Sequence, residues 1–277
     1  MTTPADACDW SIVLFSRGEA LRLARCLAAI QQATEAQDVR VTVLLRGGDA
    51  AEAARAVRAG GALPGLRLYA LAQGDRANAW NQYVHALSPR AAMHAFIEDH
   101  ALIGREALRS LAAALAADPV AEAATALPSQ GRQAAALRAR LRRGGRLHGT
   151  LHALRGRFVE ASAAGGFRLP VGLERIHPLL VRRLGDRITV AEEASWRAMP
   201  HGLQEAWHRR LRAARARMEE AALAGRDSLP EFALPMLRDW QARQAATGGF
   251  FDWLARRRLA LEAIPTPEAL RPRPVPV

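Results

Sequence analysis

Lysine is absent from this chain: all 39 basic residues are arginine, against 27 acidic ones, for a net charge of +12. An excess of that kind would ordinarily point to nucleic acid or an anionic membrane. Here it comes with heavy use of alanine, as a compositional bias of the whole chain would produce. Cysteine occurs only at Cys8 and Cys26, in no CxxC pattern and no metal-like cluster. That excludes a disulfide scaffold and a cysteine-held zinc, and it fits a reducing cytoplasm. No apolar run reaches the roughly 20 residues needed to span a bilayer. The N-terminal Met-Thr-Thr-Pro-Ala-Asp lacks the basic start and apolar core of a signal peptide, so a cytoplasmic protein is expected. Aromatic residues make up 5% of the chain, and no basic module interleaved with aromatics appears, so no specific nucleic-acid partner is expected.

What is present is ample apolar material. A chain of 277 residues, 50% hydrophobic, can bury one large core, with or without an appendage. Residues 11–15 (Ser-Ile-Val-Leu-Phe) read as a buried strand ending at Ser16-Arg17-Gly18, and 19–33 as a helix with its apolar side on Leu21, Leu23, Leu27 and Ile30. A second strand over 39–45 leads through Arg46-Gly47-Gly48-Asp49 into an alanine-rich helix to about residue 59. A third strand covers 66–71, and a helix then runs from about Asp75 to residue 87, broken by Ser88-Pro89. Strand and helix alternating on short links predict an α/β fold with a mostly parallel sheet flanked by helices.

The stretch that organises the chain is 93–100, Met-His-Ala-Phe-Ile-Glu-Asp-His. An apolar strand stops there at three groups able to bind a metal or protons. The carboxyl ends of parallel strands open onto a crevice where open α/β sheets hold ligands. A helix over 107–117 and a strand over 121–127 follow. The arginine-rich, glycine-punctuated stretch 130–145 is either an exposed helix or a loop. Further on, 187–190 reads as a strand with a turn over 191–194. Basic helical segments follow over 202–224, 236–246 and 250–264, and a proline-rich tail after Pro265 is expected to be extended or disordered. The arginine runs 138–146, 209–217 and 256–258 are either solvated helix faces or contacts to phosphates.

The order of these pieces resembles the family 2 glycosyltransferases, which have the GT-A fold. The resemblance rests on 11–17 as the first nucleotide-binding strand and loop, and on 74–81 with its Asn78-Ala79-Trp80-Asn81 ending. Phe96-Ile97-Glu98-Asp99-His100 stands where such enzymes carry Phe-Leu-Asp-x-Asp, and 149–155 is similar to their Gly-x-x-x-Ala-x-Arg segment. It covers about half of the chain well. It implies a GT-A catalytic domain over 1–194, a helical appendage over 195–264 and an extended tail over 265–277.

The resemblance also implies roles. The donor is a nucleoside diphosphate sugar, whose departing diphosphate is bridged by a divalent metal, Mn2+ or Mg2+. Glu98 falls on the first aspartate of the metal motif and His100 on the last, an imidazole that suits manganese better than magnesium. Donor contacts carry over to Ser16 and Arg17, to Asp75, Arg76 and Asn81, and to Glu98 and Asp99. Asp49 is the one acid at the turn where the family holds the base or ribose. A tryptophan and arginine cluster that closes over the diphosphate in the family corresponds to Trp207 and Arg210, residues that an amphipathic helix packed on the domain would equally show. Glu174, in the loop before a helix begun by His177-Pro178, falls on the acid that takes the acceptor's proton in inverting members, with His177 as the reserve. The acceptor would be a saccharide or a lipid-linked group of the cell envelope. Phe250, Phe251, Trp253 and Leu254 beside residues 256–258 read either as a core-packing helix with a charged outer face or as an aromatic and basic face suited to the inner membrane surface. The departures from pattern leave two other readings: a GT-A-fold binding protein without turnover, and a basic binder of membranes or nucleic acid.

Overall fold

The computed structural model describes residues 8–34, 37–60, 63–131, 133–200, 202–244 and 248–277. One nine-stranded mixed sheet runs through it in the order β5-β8-β6-β7-β4-β1-β2-β3-β9. The four strands that set its frame are β1 (Cys8–Ser16), β2 (Val39–Leu45), β3 (Arg67–Leu71) and β4 (Ala91–Glu98). β1 lies parallel to both β2 and β4, and β2 is parallel to β3. The crossovers between them are α1 (Ala20–Ala33), α2 (Ala50–Ala59) and α3 (Arg76–Gln82), as expected of helices that return a chain to a parallel neighbour.

Side-chain alternation sorts these strands onto two cores. Ile12 and Leu14 pack in one apolar cluster, with α1, α2 and α4 (Ala107–Ala117), while Val13 and Phe15 pack in the other. On β4, Ala95 and Ile97 belong to the first cluster and Phe96 to the second. Two-residue periodicity therefore carries Glu98 to the face of Phe96. The second cluster continues through α6 (Gly156–Ala164), α7 (His177–Leu184), α8 (Leu203–Leu223), α9 (Ala233–Ala242) and α10 (Phe250–Leu261). The helices near the C-terminus thus share a core with the sheet.

The register places the strand ends together. Ser16 sits opposite Leu45, and Phe15 opposite Glu98, so the residues that follow all three strands leave from one edge. β7 (Leu151–Arg155) runs antiparallel between β4 and β6 (Ala123–Pro128). Because Leu151 pairs with Ile97, the residues just before β7 reach that same edge. An antiparallel strand delivers its beginning where parallel strands deliver their ends.

Several expectations change in detail. The helix expected to reach residue 87 is α-helical through Gln82 and continues as a π-helical turn over Tyr83–Leu87. The buried Tyr83 hydroxyl bonds Ser11 Oγ and His94 Nδ1, each at 2.7 Å. The arginine-rich stretch is a helix, α5 (Ala134–Arg142). The turn expected at 191–194 is instead part of a long strand, β8 (Ile188–Ala198). Glu192 and Glu193 both face solvent, and the ladder with β6 shifts register between Ala126 and Leu127. A bulge absorbs the break in alternation that reads as a turn in sequence. A three-residue strand, β5 (Ala101–Ile103), pairs with the end of β8. The helix expected over 236–246 is observed to Ala242, and its expected end at 246 lies outside the described residues.

The tail departs most from expectation. Thr266 caps a short helix, α11 (Pro267–Leu270), and β9 (Pro272–Val275) then pairs antiparallel with β3. Proline has no N–H, so the alternation of Pro272 and Pro274 with Arg273 and Val275 leaves a ladder only through the arginine and the valine. The proline positions turn toward solvent, which ends the sheet and blocks further pairing. The tail also bonds inward: Asn78 Nδ2 donates to the Leu270 carbonyl at 3.2 Å, and Gln73 N donates to that of Ala269 at 2.9 Å. Removing residues 265–277 should lower Tm by roughly 2–4 °C for each kcal/mol of bonding lost and promote association through the bared β3 edge. A truncated protein with unchanged Tm and a monomeric gel-filtration profile would contradict that.

Candidate active-site cleft

At the edge where β1, β2 and β4 end, a cleft of about 780 Å³ opens on the second face of the sheet. Eight arginines line it, at 17, 22, 46, 76, 140, 146, 175 and 212, against four acids, Glu98, Asp99, Glu174 and Glu220. The cleft is therefore cationic, and arginine forks lend it geometry as well as charge.

An alternating chain of charges runs along its floor. Arg17 Nη2 lies 3.3 Å from Glu174 Oε2, and Arg46 Nη1 lies 3.2 Å from the same oxygen. Arg46 Nη2 then reaches Glu98 Oε2 at 3.4 Å, while Glu98 Oε1 lies 2.5 Å from Arg76 Nη2. Arg76 Nη1 ends the chain on His177 Nε2 at 3.2 Å. The side chains of Arg46 and Glu98 are 2% and 6% exposed, so these are buried charges that must be paired to be tolerated. Burial alone would raise the pKa of Glu174, but Arg46 and Arg17 hold it below the usual glutamate value.

Backbone geometry positions this chain. Arg46 is the first residue after β2, and its N–H donates to the Ser16 carbonyl at 2.7 Å. Gly48 turns at φ +81°, where a Cβ would stand 2.5 Å from the Arg17 carbonyl oxygen; only glycine lets the loops after β1 and β2 lie together. Asp99 accepts from Ser16 Oγ at 2.7 Å and from Arg17 N at 2.9 Å, fixing the first of these loops. The loop carrying Glu174 is held from behind by Glu219 of α8. That buried carboxylate accepts from the N–H groups of Glu174 and Arg175 at 3.0–3.2 Å and from Arg215 Nε at 3.0 Å. Burial pushes Glu219 up to about 7.

His100, His148 and His177 line the cleft, and His152 is buried outside its lining. His148 stacks on Trp196 with ring centroids 4.9 Å apart, and its Nδ1 accepts from Thr150 N at 3.2 Å. His152 stacks on Phe96 at 5.1 Å, and its Nδ1 donates to the His148 carbonyl at 3.0 Å. A Cβ at Gly149 would fall 2.0 Å from His177 Cε1, so glycine is required where that ring crosses the chain. Burial holds His148 down to about 4, His152 to about 3 and His177 well below the ordinary histidine value. His100 is also lowered by burial, against the opposing pull of Glu98 and Asp99, and its Nε2 lies 3.5 Å from Thr150 Oγ1.

The residues expected to form the site therefore divide. Arg17, Arg76, Glu98, Asp99, His100 and Glu174 all line the cleft, with Ser16 directly beneath through its bond to Asp99. Asp75 lies in an adjoining cavity and caps α3 by accepting from Asn78 N at 2.8 Å; burial pushes it up to about 6. Asn81 bonds the backbone of Leu169 twice, at 2.8 Å each. Asp49 is exposed and caps α2 through Ala51 N and Glu52 N. Trp207 and Arg210 lie outside the cleft lining, packed with Phe250 and Phe251; α8 reaches the cleft through Arg212 instead. The sequence reading passed over Arg46, Arg212 and Glu219. A basic residue directly after a strand, the feature that marked Arg17, is equally present at Arg46. Glu219 falls on the stripe of Leu211, Ala214, Met218 and Ala222, where an acid in the apolar face of a helix marks a buried role.

As arranged, these donors do not fit a divalent cation. Glu98 faces two guanidiniums, Asp99 is engaged by the loop after β1, and no group of three or more His, Cys, Asp or Glu side chains converges among the described residues.

No protein-family model and no curated protein sequence matches this chain. Solved structures do. A mannosyltransferase from Pyrobaculum calidifontis, in complex with GDP-Man and Mn2+, aligns with a TM-score of 0.60 at 20% identity, covering 94% of this chain and 82% of that one. Glucosyl-3-phosphoglycerate synthase from Mycobacterium tuberculosis, with Mn2+, UDP and glucosyl-3-phosphoglycerate, aligns at 0.55 and 15%, covering 80% and 81%. TarS from S. aureus, with UDP-GlcNAc, aligns at 0.52 and 15%, covering 84% and 71%. The chain has the GT-A fold of these glycosyltransferases.

The buried histidines fix a pH dependence. An unfolded histidine takes a proton near pH 6.5, whereas His94 and His148 titrate near 4 and His152 near 3 in the fold, with His177 also well below normal. Their stabilisation is therefore present above pH 6.5 and lost as pH falls through those lower values, about 2 kcal/mol by pH 5 for each of His94, His148 and His152. Asp75 and Glu219, with raised values, act in the opposite sense: their contribution is full at low pH and declines as pH rises through about 6 and 7. The histidines outnumber them. Tm should fall between pH 7 and pH 5 with net proton uptake on unfolding; a Tm that is flat or rises over that interval would contradict the arrangement.

Proposed function

We propose that this protein is a glycosyltransferase that binds a nucleoside diphosphate sugar in the arginine-lined cleft and transfers the sugar to an acceptor hydroxyl. The observation that carries the reading is the placement of that cationic cleft, with Glu174 at its floor, at the carboxyl edge of the parallel strands in a GT-A fold. The neighbours named above bind GDP-Man, UDP and UDP-GlcNAc, which supports a donor of this class.

In this reading Glu174 is the general base of an inverting displacement. The acceptor oxygen bonds to the anomeric carbon as its proton passes to Glu174. The bond from that carbon to the diphosphate breaks on the opposite face, with its electron pair leaving on the diphosphate oxygen. Ion pairing keeps Glu174 ionised at neutral pH, the form a base requires, although it also weakens the base. Binding of the donor diphosphate would draw the exposed Arg17 toward itself and loosen its hold on the carboxylate. Ser16 and Asp99 position Arg17, and Asp75 and Asn81 hold the segment that carries Arg76. Residues 8–198 supply the donor site, and α8 covers it.

The acceptor side includes an exposed aromatic patch. Trp207, Phe250 and Trp253 are 41%, 56% and 51% exposed; Trp207 and Trp253 each tilt against Phe250, Trp207 and Phe250 meet Phe251 edge-on, and Arg210 and Arg257 lie over the rings of Phe251 and Trp253. Amphipathic rings among arginines suit an anionic bilayer surface, where a lipid-linked acceptor would be met. No helix among the described residues is long and apolar enough to cross a membrane. The protein should co-sediment with vesicles containing anionic lipid and lose that binding in a Trp207→Ser, Trp253→Ser variant; equal binding by the variant would remove the patch from the account.

The primary test is thermal stability against a panel of nucleoside diphosphates and their sugars, since a ligand of the native state raises Tm by mass action. Glu174→Gln should keep the donor-induced shift and lose roughly 10²–10⁴-fold in turnover. Full turnover in Glu174→Gln would reject the base assignment. Donor binding without transfer to any acceptor in the wild type would favour a donor-binding protein without turnover, a reading to which the doubly paired Glu174 lends support.

A further inference from the structure

We propose that the donor diphosphate in this protein is neutralised by arginine in place of a divalent metal ion. The inference rests on the reading of the cleft as a nucleoside diphosphate sugar site. Glu98 stands at the end of β4, where a metal-holding carboxylate is expected, and its two oxygens face Arg76 at 2.5 Å and Arg46 at 3.4 Å. A cation bound to Glu98 would lie within a few ångströms of both guanidiniums. Like charges a few ångströms apart in a buried site repel strongly, and a doubly charged ion is repelled about twice as strongly as a single charge. Arg46 cannot retreat into water, because its side chain is 2% exposed and is pinned between Glu98 and Glu174. The second carboxylate of the motif, Asp99, is engaged by Ser16 Oγ and Arg17 N.

The same arrangement supplies the charge that a metal would. Arg17, Arg46, Arg76, Arg146 and Arg212 all line the cleft. Glu98 and Glu174 cancel only part of this charge. Arg17 and Arg76 keep 41% and 16% of their side chains exposed in the cleft lining, so both present donors that an anion would satisfy. Five forked cations around a diphosphate can stabilise the electron pair it receives when the anomeric carbon–oxygen bond breaks, the task a bridging metal performs elsewhere. The complete absence of lysine from the chain makes every one of these cations a bidentate donor with fixed geometry.

The test is isothermal titration of UDP, GDP and ADP into the full chain, once in EDTA and once in millimolar Mn2+, with room-temperature EPR of Mn2+ as a second readout. The expected result is that at least one nucleoside diphosphate binds with a dissociation constant equal within about threefold in the two buffers. The EPR signal of free Mn2+ should not decrease on adding protein. Arg17→Gln and Arg146→Gln, both at exposed positions where the fold is not at stake, should each weaken binding in EDTA about tenfold or more, with circular dichroism confirming native structure. A tenfold or greater tightening by Mn2+, a stoichiometric loss of the free Mn2+ signal, or unchanged affinity in both variants would overturn the inference while leaving the donor-site reading intact. No binding of any diphosphate in either buffer would overturn both.

Discussion

The burial of Arg46 between two carboxylates is the constraint on which the rest of this site depends. A guanidinium with 2% of its side chain exposed is tolerated only because Glu98 and Glu174 each face one of its terminal nitrogens. Those carboxylates in turn reach outward to Arg76 and Arg17. One buried charge thus ties together the ends of β2 and β4, the loop after β1 and the loop before α7, all far apart in sequence. The sheet register makes this possible by ending β1, β2 and β4 at one edge. The glycine at 48 and the Asp99 carboxylate hold the loops close enough for the pairing to form.

The tie is also a store of selectivity. Each glutamate is shared between two arginines, so the floor carries more positive than negative charge, and an incoming anion completes it. Glu219 extends the arrangement to α8, where it accepts from the backbone that carries Glu174. The helices near the C-terminus therefore position the proposed base as well as covering the cleft. The histidines contribute shape: His148 in the cleft lining and His152 beside it are each stacked on an aromatic ring and oriented by a backbone group.

Much of the fold was legible in the sequence because the first four strands are short apolar runs separated by strongly helical segments. The sequence reading located Arg17, Arg76, Glu98, Asp99, His100 and Glu174, which line one cleft in the structure, through the resemblance to family 2 glycosyltransferases, with the strand ends at Ser16 and Glu98 as supporting signals. It missed what depends on pairing at a distance. Arg46 looked like part of a turn because its partners lie 52 and 128 residues away, and the metal motif reads as a metal motif until the two arginines facing Glu98 are seen. Trp207 and Arg210 have the right composition for the cleft, but they lie on a part of α8 whose partners are Phe250 and Phe251. The proline-rich tail looked unpaired because single-sequence patterns do not show that β3 has an open edge for it. Proline at alternate positions, a reason to doubt a central strand, is compatible with an edge strand.

The most direct single measurement is a crystal structure of the complex with a nucleoside diphosphate, grown in Mn2+ and collected at the manganese absorption edge. The account predicts the diphosphate in the cleft, its oxygens within hydrogen-bond distance of Arg17 and at least one of Arg46 and Arg76, with no anomalous peak beside Glu98 and His100. A manganese peak bridging Glu98 and the diphosphate, or a nucleotide bound elsewhere on the molecule, would contradict it.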